Sequence, residues 1–494
     1  MKVSFPRNVF ATAALSFGLA ACVSPPVEAP KTTVEQQTDV ATEQNLKDQV
    51  DILFMVDDSG SMGPKQAALR TRFPDLIKVL DDFAAPTATN PLGSKASYHI
   101  GVVTSDLGAA GISCGKNRGA KLQQLGAAAI AGCAGPVGKN YIEYDQKLGT
   151  NNLPAGQDLP TTFGCMAQVG DKGCGFESQL ESVYRALHDP IPENQGFLRP
   201  GAILAVVWVT DEDDGSADPS SDLFSANPAF GNLASYRETR FGITCDGMFP
   251  LPATPVSSFA SCQSATPAMG GKLTDLTKYI NFFTQSKAKG GVKDNPRDVV
   301  LAAITAAPSP FSTGMASGID ICGAGVSTCT ILNHSCISAQ DSAFFGDPAV
   351  RMYEVIQKAQ SNTISDICAT DYKSALQGIG KKIVAALQPS CLSAPIANET
   401  APDCVVEDVT ITGGVEARKS IPFCGSASTK PCWATKEVAD CPKICNPTSG
   451  KFQQFGVSID RGGAAAPPNT TAQVSCATVA IANEDPNAAC GGAM

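Results

Sequence analysis

The sequence predicts an α/β fold in which a mainly parallel sheet is flanked by helices. Between residues 48 and 390, apolar runs of strand length alternate with segments of helical period. The apolar runs are continuous rather than alternating, which is typical of strands buried on both faces. Long insertions with cysteines interrupt this rhythm at about 107–172, 212–270 and 308–346.

Four apolar runs are the strand candidates of this sheet. In chain order they cover residues 51–56, 98–104, 202–209 and 299–305. Helical segments with one apolar face lie between and after them, around residues 176–187, 273–283 and 372–387. We expect Pro74 to kink or restart the helix that follows the first strand, since proline removes a backbone hydrogen bond.

The predicted domain organisation has four parts. Residues 1–22 form an export signal, 23–47 a disordered tether, 48–390 the α/β domain, and 391–494 a small β-rich module with eight cysteines. The end of the signal, Leu19-Ala20-Ala21-Cys22, resembles the lipobox of bacterial lipoproteins. This resemblance implies lipidation at Cys22 and, with Val23 next, anchoring in the bacterial outer membrane, on the periplasmic face or the cell surface. The alternative is an ordinary secretory signal with a chance cysteine.

Composition excludes several classes of partner. The formal net charge of −10 argues against nucleic acid and anionic lipid surfaces. No later segment is apolar for the roughly 18–20 residues that a membrane helix needs, so contact with the bilayer is expected through the lipid anchor only. Of the 19 cysteines, 18 remain when Cys22 is set aside, and an exported chain is expected to pair them as disulfides rather than to bind zinc.

Oxygen-bearing side chains follow two of the predicted strands. The run DILFMVDDSGSM places Asp57, Ser59 and Ser61 after the first strand, and VVWVTDEDD places Asp211 after the third. Because ligands of a parallel sheet collect at the carboxyl ends of its strands, these groups are expected to meet if the strands are near neighbours. All-oxygen ligation points to Mg²⁺, with Mn²⁺ or Ca²⁺ as alternatives.

The adjacent acids Asp58, Glu212, Asp213 and Asp214 are expected either to tune this site or to be solvated loop acids. Asp106 is a further candidate for approach from the neighbouring strand.

The DxSxS pattern together with the later strand ending in Thr210-Asp211 resembles the metal-ion-dependent adhesion site of the von Willebrand factor type A domain, a Rossmann-like fold. More closely, the chain is similar to bacterial lipoproteins of this domain type with GVVTSDLG, GCGFE, GFLR and VTDEDD segments. The resemblance implies that Asp57, Ser59, Ser61 and Asp211 hold the metal directly or through water. It also implies that a carboxylate of a partner fills the open position.

The sequence departs from the family at one position. Where the family usually has a threonine within Gly-Gly-Thr, this chain has Gly173-Cys174-Gly175-Phe176-Glu177. Glu177 either aims a carboxylate at the metal or is an acid favoured by the start of a helix.

The predicted function is therefore the binding of a partner without catalysis of a reaction. We expect a lipid-anchored envelope protein that binds a protein or extracellular matrix partner through a divalent cation, and not an enzyme. One alternative is a metal-dependent hydrolase, although the sequence shows no credible general base. Another is an envelope scaffold with a vestigial metal site, suggested by the missing threonine.

Overall fold

The fold is described from a computed structural model of the chain. The described residues are 48–85, 95–109, 116–126, 130–218, 221–225, 227–231, 233, 235–318, 322, 326–387, 392, 395–412, 415–425, 429–437, 443–446, 448–461, 470–477 and 490. The predicted signal, lipidation site and tether lie outside them.

The strands are β1 (Gln49–Val56), β2 (Ser97–Val103), β3 (Tyr141–Asp145), β4 (Thr150–Asn151), β5 (Ile203–Val209), β6 (Ile243–Cys245), β7 (Cys262–Ser264), β8 (Val299–Thr305), β9 (Thr313–Ser317), β10 (Thr328–Leu332), β11 (Cys336–Ile337), β12 (Phe345–Gly346), β13 (Ser361–Asp366), β14 (Cys404–Thr412), β15 (Val415–Ile421), β16 (Cys432–Glu437), β17 (Ile444–Asn446), β18 (Lys451–Gln453), β19 (Phe455–Asp460) and β20 (Thr470–Cys476). The α-helices are α1 (Gly63–Ala84), α2 (Leu159–Ala167), α3 (Gln179–His188), α4 (Tyr236–Gly242), α5 (Thr277–Thr284), α6 (Val350–Ile356) and α7 (Lys373–Leu387).

A seven-stranded sheet in the order β13-β8-β5-β1-β2-β3-β4 forms the centre of the fold. Its first five strands in this order pair in parallel, and β3 and β4 extend the other edge in antiparallel pairing. The predicted mixed α/β class with a mainly parallel sheet is confirmed at this level, and the four predicted strands correspond to β1, β2, β5 and β8.

The apolar run of the central strand β1 is continuous because this strand contacts a core on each of its two faces. Its even positions, such as Ile52 and Phe54, belong to a core formed with α1, α2 and α7. Its odd positions, Leu53 and Met55, belong to a second core formed with α3, α5 and α6. Since side chains alternate between faces along a strand, burial on both faces favours apolar residues at successive positions. The buried Asp51 is the exception, and it pairs with Arg199 at 2.7 Å.

Helix α1 runs without a break through Pro74. The expected restart of the helix is therefore wrong. Phe73 and Leu76, on either side of the proline, are both fully buried in the first core, and this packing holds the segment helical despite the missing hydrogen bond. Among the described residues, no helix has the length and apolarity needed to cross a membrane.

Disulfides staple the insertions and the C-terminal strands. Every cysteine within the described ranges is disulfide-bonded, as the sequence predicted for an exported chain. The pairs whose two members are both described are Cys133–Cys165, Cys245–Cys262, Cys322–Cys329, Cys336–Cys368, Cys404–Cys476, Cys424–Cys432 and Cys445–Cys490. From Cys404 onward the described elements are strands in small antiparallel sheets, which share a core that includes Trp433, Val457 and Val474.

Candidate metal site

The candidate site lies at the carboxyl edge of the sheet, where β1 and β5 end side by side. β1 lies between β2 and β5 and runs parallel to both. Val56 pairs with Val209, and the Asp57 backbone N–H donates to the Val209 carbonyl at 3.0 Å. The two loops that carry Asp57 and Asp211 therefore leave the sheet from adjacent strands at the same level.

Asp57 is fully buried and is held by three donors. Its Oδ1 accepts the backbone N–H of Ser59 at 2.8 Å and the hydroxyl of Ser105 at 3.2 Å. Its Oδ2 accepts the hydroxyl of Thr210 at 2.7 Å. These donors come from β1's own loop and from the ends of β2 and β5, so the carboxylate is fixed by all three strand ends.

The two serines of the motif lie close together in the turn before α1. Ser59 Oγ and Ser61 Oγ are 3.4 Å apart. The Met62 N–H donates to the Ser59 carbonyl at 3.2 Å and closes the turn. The Gln66 side chain ties this turn to the insertion by donating to the carbonyls of Asp57 at 2.8 Å and Gly170 at 2.7 Å. Ser61 is half-buried and Gly60 is exposed, so the turn is open to solvent on one side.

Asp211 faces a lysine. Its Oδ2 accepts the Lys65 ammonium at 2.5 Å, and both side chains are 0% exposed. Its Oδ1 is buried and has no hydrogen-bond partner. Burial and the charge of Asp57 raise the pKa of Asp211 to about 6, while Lys65 and the Ser61 hydroxyl oppose the rise.

Glu177 lies just before α3 and points inward. It is 1% exposed, its Oε2 accepts the Gln179 side-chain amide at 2.9 Å, and its Oε1 is buried without a partner. Burial, then the charges of Asp57 and Glu212, raise its pKa well above the usual range. Glu177 is thus buried next to Asp57 and also lies directly before α3, so both alternatives for it, an acid aimed at the metal and an acid favoured by the helix start, stay predictions.

The residues present fit a small divalent cation. Carboxylate and hydroxyl oxygens from two strand ends and from the GCGFE segment gather in a buried region, and oxygens of Asp211 and Glu177 lack donors. A buried acceptor without a partner is costly, and a bound cation satisfies it. Burial, and after it the charges of neighbouring carboxylates, raise the pKa values of Glu177, Asp211 and Glu212.

The carboxylates alone do not make a compact cage. Within the part of the chain that the structure describes, one group of three His, Cys, Asp or Glu side chains has ligand atoms within 4.8 Å of one another: Cys336, Asp366 and Cys368. The two cysteines of that group form a disulfide, which removes both thiolates. A cation at the DxSxS motif would therefore depend on the hydroxyls of Ser59 and Ser61 as well as on the acids.

The neighbouring acids have structural partners. Asp58 is 1% exposed and accepts the Arg118 guanidinium at 2.9 Å. Asp214 is buried and pairs with Arg351 at 3.0 Å. Asp213 accepts the backbone N–H groups of Arg351 and Met352 at the start of α6. Asp58 and Asp214 lie in buried ion pairs and are therefore not solvated loop acids, whereas tuning of the site by these acids stays a prediction.

Three residues of the site were missed from the sequence. Ser105, rather than Asp106, reaches the site from β2, since the Asp106 carboxylate accepts three backbone N–H groups of its own loop. Thr210 binds Asp57 directly. The position of Lys65 could have indicated that it lies near the motif, because it is four residues, or about one helical turn, beyond Ser61.

A segment of the third insertion covers the lysine. The Phe345 ring centroid lies 4.1 Å from Lys65 Nζ, a cation–π contact. His334 stacks on Phe345 and its Nδ1 lies 2.6 Å from an oxygen of Asp347. The Asp347 backbone N–H in turn donates to the Asp211 carbonyl at 2.7 Å. The covering segment is thus attached to the same loop that carries Asp211.

Comparisons with known proteins leave the family of this chain open. No protein-family model and no curated protein matches it. Among solved structures, the pilus adhesin SpaC from Lactobacillus rhamnosus GG in its open conformation aligns with 13% identity and a TM-score of 0.29, over 88% of this chain and 39% of SpaC. Proximal thread matrix protein 1 from the mussel byssus aligns with 12% identity and a TM-score of 0.24, over 71% of this chain and 51% of the mussel protein. These scores assign neither a fold family nor a function.

Proposed function

We propose that this chain recognises a protein or extracellular matrix partner through a divalent cation held at the carboxyl edge of its sheet. The supporting observation is the convergence of Asp57, Ser59, Ser61 and Asp211 at the ends of two adjacent strands, with a buried oxygen of Asp211 left without a donor. We propose that these residues form a site that resembles the metal-ion-dependent adhesion site of von Willebrand factor type A domains, and Mg²⁺ is the cation that we propose.

The chain's own residues would do two things in this function. Asp57, Ser59, Ser61 and Asp211 would hold the cation, which supplies a positive centre for a carboxylate of the partner. The hydroxyls of Ser105 and Thr210 would orient Asp57 from behind, as they do in this structure. The solvent-facing side at Gly60 and Ser61 is where a partner can approach. No bond of the partner is made or broken in this proposal.

Glu177 takes the place that a threonine has in the resembling family. A carboxylate there would offer the cation a further oxygen. In the metal-free chain, burial and then the charges of Asp57 and Glu212 raise its pKa well above the usual range. A divalent cation would lower that pKa and keep the carboxylate ionised. We therefore propose that Glu177 strengthens the site and does not leave it vestigial.

We further propose that the chain is an exported lipoprotein anchored at Cys22, with residues 23–47 as the tether. The cysteine-rich, disulfide-bonded part of the chain supports an oxidising destination. Expression of the full chain and of Cys22→Ser tests the anchor. We expect the native chain in the membrane fraction and the variant in the soluble fraction, and equal partition of both would contradict the anchor.

Partner recognition is tested by affinity capture from envelope extracts with the lipid-free chain. We expect a partner that is retained with Mg²⁺, released by chelator and absent with Asp57→Ala. Asp82→Ala is the matched control, because Asp82 is exposed and pairs with Lys78 on the surface of α1. Capture that is equal in chelator, or equal for Asp57→Ala, would contradict cation-dependent recognition.

A further inference from the structure

Lys65 is an unusual neighbour for a cation site. It lies in the first turns of α1 and its side chain is 0% exposed, as is that of Asp211, to which it donates at 2.5 Å. Its other contacts are the Ser61 carbonyl at 3.4 Å and the face of the Phe345 ring, 4.1 Å from the centroid. An ammonium buried to this extent must be neutralised by a partner, and Asp211 is the carboxylate that does so.

The lysine therefore holds one of the oxygens that the proposed cation needs. Asp211 Oδ2 cannot give the same lone pairs to an ammonium at 2.5 Å and to a divalent ion. The two positive charges would also repel each other in a region from which water is excluded. Asp211 Oδ1 has no donor, but a divalent ion bound to it would lie beside the ammonium on Oδ2, so occupation of Asp211 by Lys65 and occupation by a metal ion are alternatives.

We propose that Lys65 is a built-in cation that neutralises the metal-free site and must leave Asp211 before a divalent cation binds there. This inference rests on the proposed function and specifies its regulation. In the metal-free chain, Lys65 offsets the charge of Asp211. Divalent cations bind with lower affinity than the ligand set alone would give, because each binding event has to displace the ammonium.

The displacement extends to the covering segment. When the ammonium leaves Asp211 it also leaves the face of Phe345, whose segment is joined to the Asp211 loop through the Asp347 N–H. The ammonium also contacts the carbonyl of half-buried Ser61, which adjoins exposed Gly60 in the turn before α1. Cation binding is therefore coupled to the contacts of residues 334–347.

The decisive experiment compares the native chain, Lys65→Met and Lys78→Met by calorimetric titration with Mg²⁺ and Mn²⁺. Lys78 is the matched control, because it lies on the same helix and its side chain is 68% exposed. We expect Lys65→Met to bind the cations about tenfold or more tightly than the native chain, since no ammonium has to be displaced. We expect Lys78→Met to bind as the native chain does.

The outcomes separate this inference from the proposed function. Native binding that Lys65→Met leaves unchanged or weakens overturns the role of Lys65 and leaves the cation site standing. Absence of binding by both the native chain and Lys65→Met overturns the proposed function, and the inference with it.

A second measurement uses the native chain and so does not depend on the folding of a variant. An amine-reactive acetylating reagent is applied with and without saturating Mg²⁺, and labelling of each lysine is read by mass spectrometry. Buried Lys65 is expected to be protected without the cation and to become reactive with it, while labelling of exposed Lys78 stays constant. Protection of Lys65 that is unchanged by a cation shown to bind would overturn the inference.

Discussion

The buried pair of Lys65 and Asp211 is expected to contribute to the free energy of unfolding of the metal-free chain. The two charged atoms are 2.5 Å apart and neither side chain is exposed. Asp211→Ala removes one partner and leaves an uncompensated ammonium, which is expected to lower the free energy of unfolding by about 3–5 kcal/mol. The matched variant Asp82→Ala breaks an exposed pair on the same helix and is expected to cost at most about 1 kcal/mol.

Lys65→Met removes the other partner of the pair, and the stability that it loses is expected to depend on pH. In the native chain the pKa of Asp211 is raised to about 6 although Lys65 opposes the rise. Without Lys65 the Asp211 carboxyl keeps its proton to higher pH, and a neutral carboxyl needs no counter-charge. The loss of stability in Lys65→Met is therefore expected to be smaller at about pH 5 than at about pH 8.

Urea unfolding in chelator, with the disulfides intact, measures these losses. The double variant Lys65→Met/Asp211→Asn removes both charges and is expected to be more stable than Asp211→Ala, which reveals the coupling between the two residues. Equal losses for Asp211→Ala and Asp82→Ala would refute the claim that the buried pair holds the metal-free site together.

Three further predictions concern the same edge of the sheet. The metal-free chain should lose thermal stability as pH rises from about 4 to about 7. The reason is that the pKa of Asp58, raised to about 7, and the pKa of Asp211, raised to about 6, exceed those of the same groups in the unfolded chain. An increase of the melting temperature over this pH range would contradict the burial of these acids. Gly173→Ala should cost about 1–3 kcal/mol, because its Cβ would lie 2.4 Å from an Asp58 carboxylate oxygen. Gly175→Ala, with no atom within 4 Å of its Cβ, is the control, and equal urea midpoints would count against the contact. Glu177→Gln should weaken Mg²⁺ binding about tenfold in calorimetry, because it replaces a buried carboxylate that has one oxygen without a donor by a neutral amide; unaltered affinity would exclude Glu177 from the site.

The sequence predicted the parts of the fold that carry a strong local signal. Strands β1, β2, β5 and β8 are buried on both faces, so their apolar runs are continuous and easy to identify. The edge strand β13 was missed because its sequence, SNTISD, is polar and half-exposed. An edge strand pairs with one neighbour, here β8, and can expose polar side chains to solvent. The edge strand β4 was missed because it has two residues, Thr150 and Asn151, and both are polar and exposed. Strand β3 was missed because only its first two residues, Tyr141 and Ile142, are buried, which leaves no apolar run of strand length.

The candidate site was predictable only where its residues adjoin a strand end. Asp57 and Asp211 directly follow apolar runs, and the parallel topology brings those ends together. Lys65 follows Ser61 by about one helical turn, but this spacing does not predict its burial, because a lysine in an amphipathic helix normally faces solvent. Its burial depends on Asp211, 146 residues away, and on Phe345, and no local pattern reports contacts across that separation.

The most direct test of the central claim is calorimetric titration of the native chain and of Asp57→Ala with Mg²⁺, Mn²⁺ and Ca²⁺. Asp57 is fully buried and fixed by donors from three strand ends, so its removal dismantles the proposed cation site. We predict saturable binding of at least one of these cations to the native chain and none to Asp57→Ala. No heat of binding with any of the three cations, or binding unchanged in Asp57→Ala, would contradict it.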